Sequence, residues 1–176
     1  MNSQSEPSKL LSVEDVVTAF DDRRGWVVES NGYKLRSEYG LCALVSLFGE
    51  ALPKIRNATG RIHIMFGLIP LARQHPQVVE IAKNRLQDRS AAVRMHACEV
   101  LAYSLRRDVI PNLEQLLEHA VAETRATAAA AIDAIRHQNH HFYLDREHKG
   151  TSFWVVNPQD DPKYKLKPWQ MRQECQ

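Results

Sequence analysis

The chain lacks the features that mark several large classes of protein. Among 176 residues it has only 7 Gly and 8 Pro, too few for an extensive low-complexity region. No apolar run approaches the roughly 18–20 residues that cross a bilayer. The polar stretch Met1 to Ser12 also lacks the apolar core of a secretory signal. We therefore expect a folded, cytoplasmic protein that does not bind a membrane.

Neither charge nor cysteine content indicates a particular partner. The 23 basic and 21 acidic side chains give a net charge of +2, far from the excess typical of a dedicated DNA-binding protein. The three cysteines, Cys42, Cys98 and Cys175, are odd in number and lack motif spacing. Cys42 and Cys98 lie in apolar helical patterns, so we expect reduced, buried thiols of a reducing compartment.

Motifs of common enzyme classes are also missing. The chain contains no G-x-S-x-G, P-loop, G-x-G-x-x-G or H-E-x-x-H motif. His96 and Cys98 stand two residues apart on a predicted helix, where their side chains diverge, so they cannot act as base and nucleophile. We predict a protein that is not an enzyme and that has no cofactor, catalytic residue or assigned metal ligand.

What the sequence does contain is an apolar pattern that occurs twice between Val78 and Arg136. Arg94 and Arg125 hold the same place in the two copies, 31 residues apart. Each copy predicts two helices joined by a turn, over residues 78–107 and 108–137, and such a period is typical of stacked helical repeats. Shifting the frame back by the same interval predicts a third, degenerate copy, aligned through Leu47, Phe48, Ile55, Ile62 and Phe66.

The run from Asp88 to Arg94, followed by Ala97, Cys98 and Leu101, resembles a HEAT repeat, in particular the short HEAT-like version also found in phycobilisome lyases. The resemblance implies a mainly α protein, a right-handed α-solenoid of helical pairs. It also implies a ladder in which a turn Asp pairs with the Arg of a second helix. Here Arg94 and Arg125 keep the Arg column, whereas His119 stands where Asp88 has its counterpart. We expect an incomplete ladder, with both arginines held internally or contacting a partner.

The segments on either side of the repeats carry other signals. Ser12 predicts a capped helix start. The residues around the Asn31-Gly32 pair predict a small β-hairpin near 26–35, with a plain loop carrying a docked Trp26 as the alternative. The stretch Arg61 to His75 predicts a helix with Ile62, Met65, Phe66 and Ile69 inward, bent at Pro70.

After the helical domain, residues 1–141, we expect a C-terminal appendage, residues 142–176. Its aromatic stretches predict either two short strands or an extended tail that returns over the end of the solenoid, in which Trp154 is a structural cap or a contact. The last residues mix lysines with Tyr164 and Trp169. They form either a flexible tail or an arm that folds against an acidic partner, and the mix also suits single-stranded nucleic acid.

A group of histidines follows the last predicted helix. His137, His140, His141 and His148 stand near Asp145 and Glu147, and imidazole and carboxylate groups are ordinary zinc ligands. Their spacing matches no established metal motif, so a solvated helix end is the favoured interpretation and a metal site the alternative.

Together these features predict a module that acts by stoichiometric binding of another protein, as an adaptor or as an immunity or inhibitor protein. Nucleic-acid binding is the first alternative, and a lyase-type or metal-dependent enzyme the second. The candidate contact residues lie on the second helices and in the appendage: Arg94, Glu99, Arg106, Arg125, Asp133, Trp154, Tyr164 and Trp169.

Overall fold

The structure, a computed structural model, describes residues 10–161. Within that range it contains eight α-helices and no β-strand. The helices are α1 Val13–Phe20, α2 Gly25–Tyr39, α3 Leu41–Ala51, α4 Ala58–Leu68, α5 Pro76–Arg85, α6 Ala91–Ser104, α7 Ile110–Glu114 and α8 Ala122–Arg136. Short 3₁₀ helices cover Ile69–Leu71, Arg107–Val109, His140–Tyr143 and Pro158–Asp160.

The helices associate as four successive pairs, α1/α2, α3/α4, α5/α6 and α7/α8. In a first layer α3 packs against both α1 and α5. In a second layer α2, α4, α6 and α8 pack side by side in that order. The two predicted repeats, 78–107 and 108–137, are the pairs α5/α6 and α7/α8. A third pair precedes them, as predicted, and α1/α2 forms a fourth that the sequence pattern did not indicate.

An arginine ladder runs along the second layer and fixes the register of the pairs. Arg61 of α4 is buried and forms a two-pronged ion pair with Asp88, both contacts 2.9 Å long. Its Nη1 also donates to the carbonyl oxygen of Ile55, as the Nη1 of Arg94 donates to that of Asp88. Arg61 is therefore the counterpart of Arg94, although the constant period of 31 residues pairs Arg94 with His63.

This two-residue offset changes which side chains of α4 are buried. Ile64, Met65 and Leu68 face the core, as Met65 was predicted to do. Phe66 was predicted to be inward, but 59% of its surface is exposed, and Ile62 is only half-buried. The bend at Pro70 is confirmed, since α4 ends at Leu68 and a 3₁₀ turn containing Pro70 follows it.

The predicted hairpin near residues 26–35 is wrong, and so is the alternative loop, because this segment is helix α2. The Asn-Gly pair serves helix packing instead of a turn. The side-chain amide of Asn31 donates to the carbonyl oxygen of Ala19 over 2.8 Å, and a β-carbon at Gly32 would lie 3.4 Å from the ring of Phe20. A glycine at this position lets α2 lie close against the end of α1. The capped start of α1 is confirmed, with reciprocal hydrogen bonds between Ser12 and Asp15.

Residues 142–161, called here the C-terminal flap, contain no strand, so the predicted β-structure is wrong in this part of the appendage. The flap runs as an extended chain across the C-terminal ends of α4, α6 and α8. Asp160 fastens it there: its carboxylate accepts from the Tyr103 hydroxyl over 2.7 Å and lies 3.3 Å from Nη1 of Arg73. The Asn157 amide donates to the carbonyl oxygen of Pro70 over 3.0 Å. The flap therefore packs on the helical core.

The cysteines differ from expectation in part. Cys98 is free and buried in α6, as predicted. Cys42 is disulfide-bonded, so the prediction of a reduced thiol is wrong there. No helix among residues 10–161 has the length and apolar character that a membrane span requires.

Candidate protein-interaction surface

An apolar groove lies where the second layer meets the C-terminal flap. It has a volume of about 250 Å³ and joins residues that are far apart in the sequence. Its walls come from α2, the start of α3, the end of α4 and the flap. We call this set the apolar groove: Arg36, Leu41, Phe66, Gly67, Ile69, Pro70, Trp154, Val155 and Val156.

Large apolar side chains are exposed in and beside the groove. Phe66 and Val155 line it and expose 59% and 50% of their surfaces, and the neighbouring flap residue Phe153 exposes 52%. Trp26 and Tyr33 of α2 are also exposed and stand seven residues apart, so they lie on one face of that helix. Apolar surface gathered in this way indicates a place where another molecule packs.

The charged groups around the groove are few. Arg36 is exposed at one wall, and its Nε donates to the carbonyl oxygen of Gly32 over 3.2 Å, which directs the guanidinium along α2. On the α6 side, the ring of His96 lies edge-on to Phe66, with centroids 5.8 Å apart, and a ring nitrogen of His96 hydrogen-bonds to Glu99. The groove thus combines an apolar floor with one free cation at its wall and a His–Glu pair beyond Phe66.

The flap wall of the groove is held by a buried polar network. Trp154 packs against Tyr143 and Tyr103, with ring centroids 5.0 and 5.8 Å away. The backbone of Trp154 is fixed too, since its N–H donates to Nδ1 of His141 and its carbonyl oxygen lies 2.9 Å from Nε2 of His140. Because Trp154 is held from both sides, the adjacent Val155 is presented outward.

His140 is an internal part of this network. Its Nδ1 lies 2.7 Å from Nη2 of Arg73. Burial, reinforced by the nearby charges of His141 and Arg73, lowers the pKa of His140 to about 4. The imidazole is therefore neutral at neutral pH, and it links the flap to the helices as a hydrogen-bonding group.

The two ladder arginines proposed as contacts differ in accessibility. Arg94 is buried, its Nε and Nη2 lie 3.1 and 3.0 Å from the hydroxyl of Thr124, and its Nη1 caps the Asp88 carbonyl. Arg94 therefore offers a partner little surface. Arg125 is exposed, and its Nη1 donates to the carbonyl oxygens of His119 and Ala120. The ladder is incomplete, as expected, because Thr124 rather than an acidic residue receives Arg94.

The other candidate contacts are dispersed. Glu99 adjoins the groove through His96, whereas Arg106 pairs with Asp108 at an exposed turn after α6. Asp133 faces two histidines at the end of α8, and Trp154 is a half-buried wall of the groove. Tyr164 and Trp169 lie outside the described residues. Sequence reasoning missed Phe66, Val155 and Arg36, which the fold brings together.

The histidine group predicted from the sequence divides into two. His140 and His141 face the flap network, while His137 and His148 meet at the carboxylate of Asp133. Asp145 and Glu147 do not join them, since Asp145 is buried and accepts hydrogen bonds from the backbone of its own loop and Glu147 pairs with Lys149.

Comparison with known proteins agrees with this architecture. A family model described as HEAT repeats matches residues 79–140. The chain carries HEAT repeats. The structure of human deoxyhypusine hydroxylase in complex with glycerol is similar, with a TM-score of 0.56 and 18% identity over 72% of this chain. The match covers 46% of that chain, so this protein corresponds to less than half of the hydroxylase. At this identity the likeness concerns the fold alone. No curated protein sequence matches the chain.

Proposed function

We propose that this HEAT-repeat protein acts by stoichiometric, non-catalytic binding of another protein, which it receives at the apolar groove. The observation that supports this role is the exposed apolar surface formed by Phe66, Val155 and Phe153 on a well-anchored frame. Leaving such side chains in water is unfavourable, and burying them against a partner would recover roughly 25 cal/mol per Å² of apolar area. An adaptor and an immunity or inhibitor protein would both work in this way.

The chemistry of the groove defines the kind of partner segment it fits. Its floor accepts one or two apolar side chains, and Arg36 at the wall can pair with a carboxylate next to them. We therefore propose a partner that presents a short apolar segment flanked by an acidic residue. In this proposal the helical pairs form a right-handed α-solenoid in the cytoplasm, and the rigid second layer keeps the groove in shape without the partner.

The test is photo-crosslinking followed by measured binding. A photoreactive amino acid at position 66 or 155 should capture a partner in cells of the source organism, whereas the same group at Leu144, exposed but outside the groove, should not. With the captured partner purified, Phe66→Asp and Val155→Asp should each weaken binding by at least about 30-fold, the effect of losing an interface hot spot.

Matched variants separate a local effect from a general one. Leu144→Asp and Val121→Asp place the same charge on exposed apolar positions outside the groove and should bind as the wild type does. Equal binding by all four variants would show that the groove is not the interface. Light scattering tests a further occupant: a dimer that Phe66→Asp dissociates would show that a second copy of the chain fills the groove, against the proposed partner.

Binding of nucleic acid is the second candidate, and one surface favours it. A depression of about 350 Å³ carries Arg56, Arg85 and Arg89, and its one acidic residue, Asp88, already pairs with Arg61. Affinity for an oligonucleotide at this surface should fall steeply as salt rises, and Arg89→Gln should reduce the salt slope by about 1. Salt-insensitive binding of the captured protein partner would instead support the groove.

A further inference from the structure

The end of α8 and the loop that follows it bring together three side chains that can bind a metal ion. They are Asp133, His137 and His148, and their ligand atoms all lie within 4.8 Å of one another. Nε2 of His148 lies 2.6 Å from one carboxylate oxygen of Asp133, and Nδ1 of His137 lies 3.1 Å from the other. The cluster is on the far side of the flap network from the apolar groove and takes no part in the proposed binding.

The separations suit a tetrahedral ion. Zinc binds histidine nitrogen and carboxylate oxygen at about 2.0–2.2 Å, which places neighbouring ligands roughly 3.3 Å apart. The two histidine–carboxylate separations are already close to that value, so small side-chain rotations would admit an ion between the three groups. All three side chains are partly exposed, which leaves room for water as the fourth ligand.

The backbone of the loop is shaped to hold His148 in this place. His148 has a φ of 54°, in the left-handed region that residues other than glycine seldom occupy. The buried carboxylate of Asp145 stabilises this conformation by accepting from the N–H groups of Lys149 and Gly150, at 3.2 and 2.7 Å. The His148 N–H in turn donates to the carbonyl oxygen of Asp145 over 2.9 Å. Unfavourable backbone that a buried group enforces often marks a functional position.

Phe142 orients both imidazole rings. It stacks on His148 with centroids 3.7 Å apart and planes 13° apart, and it meets His137 edge-on at 5.5 Å. The histidines therefore approach Asp133 from fixed directions, and an ion would find two of its ligands already oriented.

We propose that Asp133, His137 and His148 form a binding site for a divalent transition-metal ion of the zinc type. The bound ion fastens the loop of residues 144–150 to the end of α8, so the site is structural and stabilises the C-terminal flap at its first turn. The choice of metal follows from the ligands, since imidazole with one carboxylate suits zinc better than magnesium or calcium.

The experiment is zinc titration by calorimetry on full-length, tag-free protein that has first been treated with chelator. The wild type should bind one Zn²⁺ per chain, and its melting temperature should rise with zinc. His137→Ala and His148→Ala should each weaken binding by more than the roughly 10–100-fold that loss of a second-shell group costs. His119→Ala removes an exposed histidine near the other end of α8 and should bind zinc as the wild type does.

Two further measurements keep the result decisive. Asp133→Asn preserves the shape of the side chain but removes its charge, so it should also lose affinity even if an alanine variant folds poorly. Co²⁺ in place of zinc should give the visible absorption of a tetrahedral site in the wild type and lose it in His148→Ala. Absence of zinc binding by the wild type, or unchanged binding by both histidine variants, would overturn the proposal.

Discussion

Asp160 is the side chain on which attachment of the C-terminal flap most depends. Its carboxylate is only 2% exposed and accepts from four donors. These are the Tyr103 hydroxyl at 2.7 Å, Nη1 of Arg73 at 3.3 Å, and the backbone N–H groups of Asn157 and Val156 at 2.8 and 3.2 Å. Replacing Asp160 with Ala leaves all four donors without this acceptor, and the Tyr103 ring is fully buried.

The expected loss of stability follows from these contacts. A hydrogen bond to a charged group contributes about 1.5–3 kcal/mol, and removing one partner of a buried ion pair costs about 3–5 kcal/mol. Because the four contacts share one carboxylate, their contributions do not add, and we expect the free energy of unfolding to fall by roughly 3–4 kcal/mol. If docking of the flap is worth less than that, the flap should detach while the helices stay folded.

Urea denaturation and hydrogen exchange together distinguish these outcomes. In Asp160→Ala, amides of residues 142–161 should exchange faster, whereas those of α3 and α5 should keep more of their protection. Asp160→Asn keeps an accepting oxygen and should lose less stability, and Gln159→Ala, at an exposed neighbouring position, should behave as the wild type. A wild-type urea midpoint combined with wild-type exchange of the flap in Asp160→Ala would refute this reasoning.

Three further predictions test the core and the flap network. The pKa of His140, about 4 in the folded state, is below its ordinary value of 6.5, so the unfolded state binds more protons between these pH values. Stability should therefore fall by up to about 3 kcal/mol as pH drops from 7 to 4, and urea midpoints of His140→Gln should fall less. Gly60→Ala should lower the melting temperature, because its β-carbon would lie 1.9 Å from the carbonyl oxygen of Phe20. The cost of such overpacking, about 1–3 kcal/mol or more, exceeds the gain of about 1 kcal/mol in helix propensity, whereas Gly25→Ala, with nothing within 4 Å, should be tolerated. Burial, with the charge of Glu99, raises the pKa of Cys98 to about 12, so peptide mass spectrometry should find Cys98 alkylated only after denaturation.

The helical pairs were predictable where the apolar pattern was regular. The pairs α5/α6 and α7/α8 follow from one period because equivalent side chains in adjacent repeats bury the same faces. The period changes before them, since Arg61 and Arg94 are equivalent but are not 31 residues apart. A constant frame therefore turned Phe66 toward the core, where it does not lie.

The failure at α2 has a different cause. An Asn-Gly pair is a strong local hairpin signal, but here the two residues satisfy contacts with α1 that lie outside any local window. Tertiary packing thus overrode a turn preference. The apolar groove was unpredictable for a related reason: its walls join Arg36, Phe66 and Val155, which are separated by tens of residues, and only the path of the flap brings them together.

The flap is held at two places by different chemistry, and this arrangement connects the two proposals. Asp160 fixes its end against Tyr103 and Arg73, while the contact of His148 with Asp133 fixes its beginning against α8. The groove residue Val155 lies between these attachments, so the position of the groove wall depends on both. A metal ion that tightened the first attachment would favour the docked flap, and a partner that binds only the docked flap would then bind more strongly. By linkage the partner would raise zinc affinity by the same factor. Zinc titrations with and without the captured partner measure that factor, and a factor of one would show that the loop of residues 144–150 and the groove wall move independently.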